Sequence, residues 1–129
     1  MKKIILLIPK FVLTIISVLV ILYLTLFPDP APHIRIPLFV GADKVIHAIM
    51  FAFFAGALVV DFYRVNYFGK NISRLYTFCL AVSFVFGGLV EILQDEMGLG
   101  RSGDIYDLIA DVIGAAIGMI VAKYIFFKK

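Results

Sequence analysis

Three aspartates recur along the last apolar segment of the chain at intervals that place them on one helical face. Asp104, Asp107 and Asp111 are followed by Gly114 and Gly118, with spacings of three, four, three and four residues. Residues three or four apart are neighbours on a helix surface, and small residues let a second helix approach closely in a membrane. The pattern therefore predicts that the acidic and the glycine halves of this face both point toward another helix.

Two earlier apolar segments carry polar residues at one end. An acidic side chain at the centre of a membrane helix costs about 2.5–3.5 kcal/mol on insertion scales, so grouping with partners or access to water is expected. All of these polar ends lie at the same predicted depth, and we expect one shared, outward-facing, water-accessible pocket. We predict that its lining residues are Asp43, Lys44, His47, Glu91, Gln94, Arg101, Asp104, Asp107 and Asp111.

These residue types favour binding of a charged headgroup. Lys44, His47 and Arg101 would contact phosphate or carboxylate, and arginine suits bidentate phosphate contacts. The acids would take amines, sugar hydroxyls or an ion. The sequence predicts no metal and no cofactor, but the best candidate ligands for Mg²⁺, Ca²⁺ or Mn²⁺ are Glu91, Asp107 and Asp111.

Three other interpretations of the same residues stay open. In an enzyme, His47 would act as a general base beside Glu91 or Asp107, with Ser102 as a nucleophile, but no HExxH, GxSxG or phosphate-loop motif is present. Ion-coupled transport is disfavoured because the inner halves of the apolar segments carry almost no polar groups. In a purely structural role, the network would only fix the register of the helices.

The elements that must position this pocket are membrane helices. The chain is 63% hydrophobic, whereas soluble domains are about 45–50% apolar, and its mean hydropathy is +1.06. We predict an all-α, four-transmembrane-helix bundle that forms a single domain over residues 1–129. Membrane helices need about 20 apolar residues, and the predicted helices cover approximately 4–27, 44–63, 75–95 and 105–127.

Basic residues give the expected orientation. Nine of the twelve Lys and Arg residues fall on the side of the two termini and of the loop between the second and third helices. The positive-inside rule then places both termini in the cytoplasm and the acidic ends outside. The protein is predicted to be a multi-pass membrane protein that does not bind nucleic acid.

Three motifs resemble the VanZ family of small bacterial membrane proteins. They are "DKVIH" (43–47), "EILQ" (91–94) and R-x-x-D-x-x-D-x-x-x-D-x-x-G-x-x-x-G (101–118), and the resemblance covers approximately residues 25–122. The family commonly has Asn where this chain has Asp111. The resemblance implies a protein of the bacterial cytoplasmic (inner) membrane that is linked to the cell envelope, and the founding member is associated with low-level teicoplanin resistance. The expected partners are membrane lipids and a lipid-linked cell-wall precursor, whose headgroup the pocket would bind with an effect on glycopeptide susceptibility.

Overall fold

The computed structural model describes residues 2–26, 42–97 and 105–127, and these ranges are helical apart from short turns. The expectation of an all-α protein is confirmed for them, because they contain no strand. The helices are α1 (Lys2–Leu7), α2 (Val12–Leu26), α3 (Ala42–Arg64), α4 (Ile72–Met97) and α5 (Ile105–Ala122), and α5 continues into a π-helical stretch, Lys123–Phe127.

Within the described ranges, three helices are long and apolar enough to cross a membrane. They are Lys44–Arg64, Ile72–Glu96 and Ile105–Ile125, of 21, 25 and 21 residues. At 1.5 Å per residue, 21 residues extend over about 32 Å, which matches a hydrocarbon core of about 30 Å. The apolar helix Val12–Thr25 is shorter, so a fourth span stays a prediction.

The first predicted helix, 4–27, is two helices in the structure. Pro9 interrupts the helical hydrogen bonds because it has no N–H and its ring clashes with the preceding turn. Phe11 adopts a left-handed backbone with φ of 67°, which also ends helical geometry. The Arg64 guanidinium donates through Nη2 to the carbonyl oxygens of Leu6 and Ile8, at 3.4 and 2.9 Å. It therefore satisfies carbonyls that the end of α1 leaves without helical partners.

Helix α3 is the central element, since it packs against α2, α4 and most extensively against α5. Its buried side chains Phe51 and Phe54 meet Phe86 of α4, with ring centroids 5.6 and 5.1 Å apart. Large apolar side chains also cover the outer faces of all three long helices, for example Phe53, Phe84 and Ile117. Lipid is the solvent that suits such faces.

A second polar group lies at the opposite end of α3 from His47. Asp61 is buried, and it accepts a 2.6 Å hydrogen bond from the Thr14 hydroxyl of α2. Arg64 lies 3.8 Å from the same carboxylate. The expectation that this half of the bundle carries almost no polar groups was wrong, because Asp61 lies inside the bundle and not in a solvated loop.

Candidate functional site

Close packing of α3 on α5 positions the site. A Cβ atom at Gly114 would overlap the backbone of Ala48, and one at Gly118 would overlap that of Ala52. The two helices can therefore come this close only because residues 114 and 118 have no side chain. One turn before Gly114, this approach brings the acidic half of α5 beside the first turns of α3.

His47 lies between two aspartates of α5. Its Nδ1 is 2.9 Å from Oδ1 of Asp111, and its Nε2 is 3.6 Å from Oδ2 of Asp107. All three side chains are buried. The spacing of four residues between the aspartates puts one carboxylate near each ring nitrogen, so the imidazole is held in a defined orientation.

Lys44 completes this group one turn before His47. Its Nζ lies 3.0 Å from Oδ1 of Asp107, and its side chain is 37% exposed whereas that of Asp107 is buried. A lysine can keep its ammonium near water while its apolar stem covers the residues beneath it. Lys44 therefore forms the rim of the site, and Asp107 links it to His47.

Helix α4 contributes Glu91. One ligand-type atom from each of His47, Glu91 and Asp111 lies within 4.8 Å of the others. One turn before Glu91, a Cβ at Gly87 would come within 2.9 Å of Oδ2 of Asp111. The glycine thus leaves the space that the Asp111 carboxylate uses against α4. We refer to Lys44, His47, Glu91, Asp107 and Asp111 as the polar cluster.

The other predicted pocket residues have different positions. Gln94 donates from Nε2 to the carbonyl oxygen of Thr25, at 2.8 Å, so it ties α4 to α2 and its amide nitrogen is used there. The side chain of Asp43 lies outside the described residues, as do Arg101, Ser102 and Asp104 entirely.

The grouping of possible metal ligands also differs from the expected set. Glu91 and Asp111 converge as predicted, but the third member is His47 in place of Asp107. Asp107 contacts Lys44 instead. Sequence spacing identified the acidic face of α5 without showing which of its carboxylates meets α4.

Sequence analysis missed Asp61 and Thr14. Asp61 precedes the basic residues Arg64, Lys70 and Arg74, so its position in the sequence favours a solvated loop over the interior. Two signals could have identified the pair: Arg64 follows Asp61 by three residues, and Thr14 and Ser17 lie three apart in an otherwise apolar segment. The Ser17 hydroxyl donates to the carbonyl oxygen of Thr14, so this side of α2 is polar where it meets α3.

Comparison with known proteins identifies the family. The VanZ/LLP1 family model matches residues 11–127, a range that includes every residue of the polar cluster and both glycines of the α3–α5 contact. No curated protein is significantly similar to the chain. No solved structure is either. Three helices of membrane-spanning length and this match over most of the sequence indicate a membrane protein, and the chain belongs to the VanZ/LLP1 family.

Proposed function

We propose that this protein binds the headgroup of an envelope lipid, or of a lipid-linked peptidoglycan precursor, at the polar cluster. The observation that supports this function best is the difference in exposure between the side chains of Lys44 and Asp107. The ammonium group lies on a side chain that is 37% exposed, while the Asp107 carboxylate that holds it at 3.0 Å is buried. A phosphate can therefore approach the lysine from outside, and the aspartate fixes the position of the charge that it meets.

The remaining cluster residues suit the rest of such a headgroup. The buried carboxylates of Glu91 and Asp111 can accept hydrogen bonds from amines or sugar hydroxyls, and His47 can donate or accept depending on its tautomer. Lipid headgroups and precursor headgroups combine a phosphate with such groups. Arg101, which belongs to the family-like motif, would add a second cation for the phosphate.

The polar cluster is proposed to lie on the outer side of the membrane. With both termini in the cytoplasm, as the distribution of basic residues predicts, the polar cluster would face the outer leaflet of the bacterial cytoplasmic membrane. Binding there could shield the cell-wall target that a glycopeptide recognises. This would connect the site to the teicoplanin resistance with which the founding member of the VanZ family is associated.

Native mass spectrometry of the detergent-purified protein tests this function. We expect one phospholipid or lipid-linked precursor to stay bound, and to be lost in Lys44→Ala. The matched control is Lys70→Ala, since Lys70 is an exposed lysine in the turn after α3, at the other end of that helix. Equal retention of the same lipid by both variants would exclude the rim lysine as a binding group.

A drug-susceptibility assay tests the cellular consequence. Cells that express wild type should differ in teicoplanin susceptibility from cells that express Lys44→Ala at the same protein abundance. Equal susceptibility of the two strains at equal abundance would exclude a part for Lys44 in the response to the drug.

A second candidate function is acid–base catalysis on the bound lipid. The observation that favours it is the 2.9 Å contact between His47 Nδ1 and Asp111, because a carboxylate that orients an imidazole is a common part of general-base sites. Purified protein mixed with the identified lipid should then convert it, and His47→Gln should abolish conversion while the lipid stays bound.

A further inference from the structure

We propose that His47, Glu91 and Asp111 form a binding site for one divalent transition-metal ion. The three residues come from α3, α4 and α5, so they meet only because the helices pack together. One nitrogen or carboxylate oxygen from each lies within 4.8 Å of the other two. Convergence of an imidazole and two carboxylates from three helices provides ligands on three sides of one point.

The distances suit an ion of this class. Zinc binds His nitrogen and carboxylate oxygen at about 2.0–2.2 Å, so two ligand atoms of one ion stand roughly 3–4.4 Å apart. His47 Nδ1 and Asp111 Oδ1, now 2.9 Å apart, need to separate slightly to share the ion, and the limit of 4.8 Å for the whole set requires only a small contraction around it.

The donor set indicates which metals to expect. Imidazole suits Zn²⁺ and Fe²⁺, and carboxylate suits Mn²⁺, whereas Mg²⁺ favours oxygen ligands and retains its water. A mixed set of one nitrogen and two carboxylates therefore favours Zn²⁺, Mn²⁺ or Fe²⁺ over Mg²⁺. Burial of Glu91 and Asp111 among apolar helices strengthens the attraction between their negative charges and a cation.

The surroundings of His47 resemble those of a metal-bound histidine. Such residues almost always donate their second ring N–H to a carboxylate or carbonyl, which fixes the tautomer. When Nδ1 of His47 binds the ion, Nε2 faces the Asp107 carboxylate at 3.6 Å, and Lys44 holds that carboxylate from the other side. Asp107 and Lys44 are thus positioning residues for this site, and Asp107 is not among its ligands.

The metal site does not depend on headgroup binding. An ion at His47 would lie beneath Lys44 and could attract a phosphate that enters past the rim, but it would also bind in protein that carries no lipid. The two proposals therefore fail separately: Lys44→Ala should lose lipid and retain most of the metal, whereas Glu91→Gln should lose metal.

The experiment uses the full-length protein in detergent after treatment with a chelator. Zn²⁺ is added, unbound metal is removed, and the bound metal per chain is quantified by inductively coupled plasma mass spectrometry. We expect one ion per chain, with affinity at least tenfold lower in Asp111→Asn and in Glu91→Gln. Asp61→Asn is the matched control, because it changes another buried aspartate at the far end of α3 and should still bind one ion.

A second measurement covers the case in which Asp111→Asn does not fold. The absorption spectrum of Co²⁺ bound to the wild type should change in His47→Gln, because the spectrum reports whether a nitrogen ligand is present. Excess Mg²⁺ should leave the Co²⁺ spectrum unchanged. The proposal is overturned if the wild type binds no ion, if Glu91→Gln and His47→Gln both bind as the wild type does, or if Asp61→Asn loses the ion as well.

Discussion

Asp111 is the most deeply buried carboxylate among the described residues, with a relative exposure of 0%, although it lies on an apolar helix. Its contact with His47 at 2.9 Å and the space left by Gly87 explain how the helix accommodates it. A carboxyl group in this position is tolerated because its two oxygens lie beside the His47 imidazole and in the space that Gly87 leaves.

Replacement of Asp111 by Ala should destabilise the protein strongly. The substitution leaves the buried His47 ring without its hydrogen-bond partner, and a buried polar group in that state costs about 1–3 kcal/mol, more where it is charged. Ile113→Ala, on an exposed position of the same helix, should have a much smaller effect. Thermal unfolding can be followed with a thiol-reactive dye, since Cys79 is the only cysteine and is buried in the folded protein. Equal melting temperatures of the two variants would show that the His47 contact contributes nothing.

At the other end of α3, Thr14→Val should destabilise the contact with Asp61. Valine has nearly the shape of threonine but cannot donate, and a buried acceptor that loses its hydrogen bond costs about 1–3 kcal/mol. The same substitution at Thr77, which is exposed on α4, is the control and should leave the dye-monitored melting temperature almost unchanged. If both variants melt alike, the 2.6 Å contact has no energetic role.

At the scale of elements, the α3–α5 contact depends on two glycines. Gly114→Ala should lower stability, because the new methyl would overlap the Ala48 backbone and overpacking typically costs about 1–3 kcal/mol. Gly88→Ala is the informative control: no heavy atom outside its own helix lies within 4 Å of a Cβ there, so the better helix propensity of alanine should stabilise by about 0.5–1 kcal/mol. Opposite signs in the melting temperatures of the two variants are the expected result.

The spacing of residues along single helices predicted much of this arrangement, but it could not predict the contacts between helices. Periods of three and four residues identified the faces that carry Asp107 and Asp111 and those that carry Glu91 and Gln94. They could not show that Glu91 contacts α5 while Gln94 contacts α2, because two residues that are neighbours on one helical face can contact different helices. The predicted first helix, 4–27, runs through Pro9 without a break. In the structure the helix ends there, and Arg64 of another helix binds the carbonyls that the break frees.

At the scale of the whole molecule, two polar groups lie at opposite ends of an apolar interior. His47 and Asp61 are fourteen residues apart on α3, which corresponds to about 21 Å. Between them, the buried face of α3 presents Phe51, Phe54 and Leu58 to the core. On α3 itself, residues 48–60 carry no polar side chain. This separation favours binding at one membrane surface over movement of an ion through the bundle.

The orientation of the bundle can be tested with single cysteines in a Cys79→Ala background. Ser102→Cys should react with a membrane-impermeant maleimide in intact cells, because the acidic ends are predicted to face outward. Lys70→Cys should react only after the membrane is permeabilised. The opposite labelling pattern would put Lys44 and His47 at the cytoplasmic surface and would remove the basis for binding an outer-leaflet headgroup.

The same assay decides whether the first helical pair crosses the membrane. Helix α2 alone, with 15 residues, extends over about 22 Å and falls short of the hydrocarbon core of about 30 Å; α1 would have to supply the rest across the break at Pro9. Lys3→Cys should then behave as Lys70→Cys does, protected in intact cells, because four spans place the N-terminus beside that loop.

If Lys3→Cys reacts in intact cells while Lys70→Cys stays protected, only α3, α4 and α5 span the bilayer. In that case Thr14 would lie outside the membrane while Asp61 lies at the cytoplasmic end of α3, so the hydrogen bond between them could not form. Thr14→Val would then leave the melting temperature unchanged.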